Sequence, residues 1–371
     1  MKYIWQCSLW PKLTWDSDAL VFLLGQARFA QGALLGRIKG LGFKLGEEAQ
    51  ADILTEETIK TAAIEGEQLN PQMVRSSVAR HLGLRMAGLI PSTRPIDGLV
   101  EVILDATQGY DKSLSADRLK GWQAALFPSG YSGFHNIQIG QWRKEGLMRV
   151  VSSPVEREKI HFEAPPGEMV EAEMQKFLHW WESSLKTTDG ILRAGIAHFY
   201  FVTIHPFEDG NGRIARALTD MALAQDEKLK LRYYSLSSQI MEERDGYYDI
   251  LEKCSKADST DVTKWLVWFL GCFQRAIKRS NKIIGNVLTK AEFWHQHAQT
   301  ELNERQKKVI NRILEVGQEN FTGGLTTRKY VSMAKVSRAT AFREIADMLE
   351  KKILQPLPGK GRSVHYDLVW P

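Results

Sequence analysis

Cysteine is scarce in this chain, with three among 371 residues. Cys7, Cys254 and Cys272 lie too far apart for a zinc ligand set and are too few for a disulfide framework. The start, "MKYIWQCSLWPKLTWD", lacks the basic-then-apolar layout of a secretion signal, and no apolar run of membrane-spanning length is expected. No repeat or low-complexity tract appears. A cytoplasmic protein without membrane contact is the reading these absences leave. An excess of charge of either sign is also lacking outside the C-terminus, where 36 Lys/Arg balance 36 Asp/Glu. Residues 301–371 hold 13 Lys/Arg and 8 Asp/Glu, which accounts for the whole net charge of +5. A separate task for that end follows, with DNA among the candidate partners.

What is present is helical periodicity. Apolar positions recur at three to four over 16–38, 47–65, 71–87, 95–109 and 115–125, and again over 168–186, 190–204, 212–225, 237–255 and 259–280. Glycines and short β-prone runs interrupt this between Gly130 and Pro166, predicting a hairpin with its tip between "LMRVV" and "KIHF". Residues 281–300 read as a linker helix. The segment from Glu301 reads as helix, short helix, turn, longer helix and two strands, the order of a winged helix-turn-helix. The fold class expected is mainly α: a helical region over 1–110, a helical core with a hairpin over 111–280, and the C-terminal unit over 301–371.

The chemistry concentrates in "HPFEDGNGRIAR", His205 to Arg216. Pro206 disfavours helical backbone at His205, so the preceding helix ends with an imidazole at its mouth. Gly210 and Gly212 bare the main-chain N–H groups of the turn, and the helix that follows adds its unpaired amides and positive dipole end. Arg213 and Arg216, three apart, share a helix face, and forked guanidinium groups suit phosphate oxygens. Asp209 is a hard oxygen ligand of the kind that holds Mg²⁺ beside phosphates. A base, a metal ligand and a polyphosphate cradle together point to phosphoryl or nucleotidyl transfer.

This stretch resembles the signature of Fic-domain proteins at every fixed position, and the likeness extends over roughly residues 50–280. The resemblance implies transfer of AMP from ATP to a Ser, Thr or Tyr hydroxyl of a target protein. His205 is then the general base and Asp209 the Mg²⁺ ligand. Gly210, Asn211 and Gly212 hold phosphate, Arg213 assists, and Arg216 reaches the γ-phosphate. Phe207 anchors the loop. The hairpin at about 148–164 corresponds to the flap that lays the target beside the site. "TAAIEG", Thr61 to Gly66, matches the family's inhibitory helix, with Glu65 pairing Arg216 and Thr61 on the same helix face. Alone, the same letters read as a helix ended by a left-handed glycine. Some relatives also use this glutamate in removing AMP. Tyr247 and Tyr248 fall near the adenine, with Arg244 one turn before, although aromatic residues at helical spacing are more often core. A homodimer is the implied assembly.

Some features read as structural. His198 is expected to be a satisfied core histidine. Trp5, Trp10 and Trp15 are expected to pin the leading arm to the helical body. A DNA-binding regulator is the rival reading, with Ser337 as a helix cap, Arg338, Thr340 and Arg343 on a recognition helix, and Lys360 and Arg362 on the wing.

Overall fold

The computed structural model describes residues 3–39, 43–84, 90–144, 146–152, 159–230, 232–317, 321–357 and 365–371. Two compact units emerge, one from residues 1–39 and 50–280, the other from 40–49 and 281–371. The first unit takes in most of both regions read as 1–110 and 111–280, without residues 40–49.

Five helices open the chain: α1 (Ser17–Lys39), α2 (Phe43–Ile64), α3 (Pro71–His81), α4 (Arg94–Gln108) and α5 (Ala116–Leu126). Two of these starts have a side-chain cap. Asn70 caps α3 by accepting from the N–H groups of Gln72 and Met73, with Pro71 fixing the first turn, and Ser115 caps α5 through Arg118 N–H. α4 and α5 approach closely because residue 98 is glycine; an added Cβ would lie 1.9 Å from the Ala125 carbonyl oxygen.

The β-prone region holds two hairpins where one was expected. β1 (Tyr131–Ser132) pairs with β2 (His135–Asn136), and β3 (Arg149–Ser152) pairs antiparallel with β4 (Lys159–Glu163), with an irregularity between Val150 and Val151. The tip of the second hairpin, 153–158, lies outside the described residues.

The centre of the first unit is α7 (Gly190–Ile204), which follows α6 (Val170–Ser184) and packs on α8 (Asn211–Glu227). Every residue of α7 except Gly190 and Val202 is buried. Asp189 starts it by accepting from the N–H groups of Ile191 and Leu192. α6 covers α7, while α4 covers α8. The helix predicted over 237–255 is two, α9 (Leu236–Glu242) and α10 (Arg244–Ser255), because Glu243 leaves helical geometry at ψ 28°. α11 (Thr263–Gln296) runs unbroken through the expected linker. Its Phe293 is fully buried in the core of the second unit.

α1 corrects the reading that no stretch is long and apolar enough to cross a membrane: by length and composition this helix is. Its inner face nonetheless carries polar anchors to the rest of the first unit. Arg28 donates to Asp189 at 2.7 Å and to Asp226 at 2.9 Å, and Gln31 donates to Glu227 at 2.8 Å. The leading arm is pinned by its tryptophans: Trp5 Nε1 donates to the Glu163 carbonyl at 2.8 Å and Trp10 Nε1 to Glu173 at 2.7 Å.

In the second unit, α12 (Glu304–Val316), α13 (Thr327–Ala334) and α14 (Arg338–Glu350) enclose Val309, Ile313, Tyr330, Ile345 and Met348. Ser337 caps α14 by accepting from Thr340 N–H. β5 (Leu354–Pro356) pairs antiparallel with β6 (Tyr366–Leu368). Residues 358–364, including the expected wing contacts Lys360 and Arg362, lie outside the described residues.

Candidate active site

His205 closes α7 in the left-handed conformation, φ 52° and ψ 59°, which is rare for a side chain larger than glycine. Arg143 holds this strained corner. Its Nε donates to the His205 carbonyl at 2.7 Å, and its main-chain N–H donates to the Pro206 carbonyl at 2.9 Å. The ring's Nδ1 lies 3.3 Å from the Val202 carbonyl, which only accepts, so Nδ1 carries the proton and Nε2 the lone pair. Burial pushes the imidazole down to about 4. The Val202 bond opposes that shift, and nearby Arg143 adds to it. At neutral pH the ring is an uncharged base.

The turn after it is self-braced. Phe207 is fully buried against Trp142, ring centroids 4.7 Å apart. Asn211 Oδ1 accepts from Phe207 N–H at 2.9 Å, and its Nδ2 donates to the Phe207 carbonyl at 2.7 Å. The Asn211 side chain, expected to hold phosphate, braces the loop with these two bonds, and Nδ2 has a second N–H beyond them. Gly210 sits at φ 91° and starts α8 without any side-chain cap. The amides there are left for an anion. Asp209 Oδ1 accepts from Gly210 N–H at 2.6 Å, and its Oδ2 takes the hydroxyl of Ser132 from β1. Among the described residues no three His, Cys, Asp or Glu converge as a metal cage. Asp209, a single oriented carboxylate beside bare amides, is the residue that would contribute an oxygen to a Mg²⁺ bound together with phosphate.

Arg213 and Arg216 are both buried. Arg213 Nε and Arg216 Nη1 have no protein hydrogen-bond partner. Buried unpaired guanidinium N–H groups call for an acceptor. The rest of Arg216 is gripped by α2. Nε donates to Thr61 Oγ1 at 2.6 Å, and Nη2 donates to the Thr61 carbonyl at 3.0 Å and to Glu65 Oε1 at 2.7 Å. Arg213 Nη1 lies 3.4 Å from Glu67. The Glu65 carboxylate also presses on the start of α8: a Cβ at Gly212 would lie 2.1 Å from Glu65 Oε1. Gly66, at φ 86°, ends α2 in the left-handed conformation. Both readings of "IEG" hold at once, a glycine cap and an acid paired with Arg216.

Around this point lies a cavity of about 530 Å³, bordered by Glu65, His205, Gly212, Arg244, Tyr247 and Tyr248. Tyr248 and Arg244 both donate to the Ile64 carbonyl, at 3.3 and 2.9 Å. Tyr247 is buried and its hydroxyl meets His198 Nε2 at 2.8 Å. His198 has no exposed surface, contacts Thr219 Oγ1 at 3.0 Å and stacks on Trp265. It is a satisfied core residue. The sequence reading passed over Ser132, Arg143 and Glu67. None belongs to the motif, and each arrives from another part of the fold.

Residues 113–223 match the model of the Fic/DOC family, and residues 3–84 match a domain of unknown function, DUF4172. Among curated proteins, the chain is 28% identical over 138 residues to a probable protein adenylyltransferase of Aquifex aeolicus, covering 34% of this chain and 43% of that one. It is 32% identical over 118 residues to a uridine 5'-monophosphate transferase of Xanthomonas campestris, covering 30% and 21%. A protein adenylyltransferase Fic of Drosophila mojavensis is 31% identical over 107 residues, covering 29% and 20%. The chain spans less than half the length of these relatives. Two solved structures share the fold. A Fic family protein of Desulfovibrio desulfuricans has TM-score 0.54, 18% identity and coverage of 96% and 97%. A Fic domain containing signaling protein of Bacteroides thetaiotaomicron has TM-score 0.51, 16% identity and coverage of 74% and 97%.

Proposed function

Because residues 113–223 are a Fic/DOC family domain, we propose that this chain transfers AMP from ATP to a Ser, Thr or Tyr hydroxyl of a target protein and of itself. The observation that carries the reading is the gathering of a neutral His205, an oriented Asp209 and two buried, partly unpaired arginines around the uncapped start of α8. The target hydroxyl oxygen attacks the α-phosphorus while its proton passes to His205 Nε2. The bond from that phosphorus to the bridging oxygen breaks and pyrophosphate leaves. Arg213, Arg216 and the bare amides of α8 hold the charge that moves onto the leaving oxygens. Asp209 is the residue that would hold Mg²⁺, which when bound neutralises phosphate charge. The cavity between α10 and β4 takes the nucleoside, with Tyr248 beside it.

In this reading the closed arrangement is an inhibited one. The Glu65 carboxylate sits where α8 receives an anion, and it occupies the Arg216 Nη2 that a γ-phosphate requires. The same carboxylate, with AMP on a target, is positioned to orient a water for its removal. The β3–β4 hairpin is the surface on which a target segment adds as a strand. The relative named for uridine 5'-monophosphate transfer keeps the nucleotide itself under test. Incubating Glu65→Gly protein with ATP or UTP, Mg²⁺ and lysate, then weighing adducts by mass spectrometry, decides it. An AMP mass on protein hydroxyls, lost in His205→Ala, supports the reading; no adduct from either nucleotide ends it.

A second activity in the same chain rests on α14, whose Arg338 and Arg343 are exposed. We infer a partner there, DNA or protein, for a winged-helix unit. Salt-dependent retention of DNA by the full chain, reduced in Arg338→Ala, supports DNA; salt-independent behaviour excludes it.

A further inference from the structure

α1 has one face that the fold uses and one that it does not. Leu20, Ala27, Gln31 and Leu34 are buried, and Gln274 donates to the Leu23 carbonyl at 2.9 Å, so the helix is fixed on the body. On the outer face Val21, Phe22 and Phe29 are 66%, 71% and 81% exposed. Gly25, Gly32 and Gly36 lie among them. A glycine inside a helix costs about 1 kcal/mol relative to alanine. Nothing among the described residues explains the three: an added Cβ at any of them meets nothing within 4 Å, and none has a positive φ. Asp18, Phe22, Gly25, Phe29, Gly32 and Gly36 recur by alternating steps of four and three. That is the 3.5-residue seam of two helices packed side by side, in which small residues admit the partner's large ones.

We propose that this seam binds a second copy of the chain, α1 against α1, antiparallel about a two-fold axis. In one register Phe22 faces the partner's Gly32, Phe29 faces the partner's Gly25, and Val21 faces the partner's Ala33, every pair repeated by the symmetry. The ends agree with this register. Asp18 lies in the first turn of α1 and Arg37 and Lys39 in the last, so each acidic end meets a basic one. A homodimer expected from resemblance alone has no assigned surface; the seam supplies one, independent of the reaction proposed above. A lipid surface is a poorer occupant, since it gives no reason for three glycines or for an aspartate in the seam.

Sedimentation velocity of the full chain from about 1 to 100 µM, the range suited to an interface of small area, tests the seam. The expected result is a concentration-dependent dimer that weakens at least tenfold in Gly32→Leu. That variant fills the notch while favouring the helix, so its melting temperature should hold or rise. Val21→Cys combined with Ala33→Cys should form a covalent dimer on mild oxidation, and Val21→Cys alone should not. The natural cysteines are buried and do not interfere. A monomer at the highest concentration, a dimer indifferent to Gly32→Leu, or cross-linking by Val21→Cys alone would each overturn the proposal. Pelleting with phosphatidylglycerol vesicles without self-association would overturn it too, and would give the face to lipid.

Discussion

Arg216 is bound by α2 through two residues, at 2.6 Å to the Thr61 hydroxyl and at 2.7 Å to the Glu65 carboxylate. One guanidinium is thus fixed at two corners by residues one helical turn apart, while its Nη1 remains unpaired.

Removing the acid alone should release the site. Glu65→Gly is expected to raise self-labelling with radioactive AMP at least tenfold, a change of about 1.4 kcal/mol in the closed-to-open balance. Thr61→Ala should give a smaller rise, since one charged partner remains. Arg216→Ala should weaken ATP binding about tenfold by calorimetry whichever residue stands at 65. Equal labelling of wild type and Glu65→Gly would reduce Thr61–Gly66 to a helix end.

The hydroxyl of Ser132 orients the proposed metal ligand from a hairpin outside the motif. Ser132→Ala in the Glu65→Gly background should raise the Mg²⁺ concentration for half-maximal rate several-fold. ATP binding without metal should stay unchanged. An unaltered Mg²⁺ titration would leave Ser132 with a packing role only.

Burial holds His198 down to about 3, with nearby Arg216 adding to the shift. The unfolded chain binds this proton near pH 6.5, so the contribution of neutral His198 is complete above that value. It is lost as pH falls toward 3. Stability should therefore decline by up to about 1.4 kcal/mol per pH unit below 6.5 from this group. Urea unfolding at pH 7 and pH 5 reads it. His198→Asn should be less stable at pH 7 and show a flatter decline.

Trp5 donates to the Glu163 carbonyl at 2.8 Å, and Tyr3 meets Phe162 edge-on at 5.5 Å, so the leading arm supports β4. Trp5→Phe should lower self-labelling of Glu65→Gly protein by a few-fold while leaving ATP affinity intact. A matching loss of ATP affinity would instead place the arm's influence on the cavity.

The site was legible in the sequence where its logic is local. His205 before proline, the glycines of the turn and the two arginines of α8 carry their spacing in the letters. Glu65 stands 151 residues from Arg216 and was reached only through resemblance. Ser132 and Arg143 stand 77 and 62 residues from the groups they orient, and a lone serine or arginine in a loop has no pattern. The bracing of the turn by Asn211 was not legible, because a side chain that meets a ligand and one that bonds its own turn look identical in sequence. The break at Glu243 has no proline or glycine to announce it. α11 outran its expected end for the converse reason: apolar periodicity passes through 281–296 unchanged.

The carbonyl of Ile64, held by Arg244 and Tyr248 at the last turn of α2, has a consequence for binding equilibria. Two walls of the cavity proposed for the nucleotide are also the clasp of the helix proposed to inhibit it. A nucleotide that draws Tyr248 toward its base loosens that clasp, and a closed clasp lowers the apparent nucleotide affinity by the fraction of molecules open. Under the proposed function, filling the cavity and releasing α2 would then be one coupled equilibrium, so that the state of the helix reports whether the cavity is occupied.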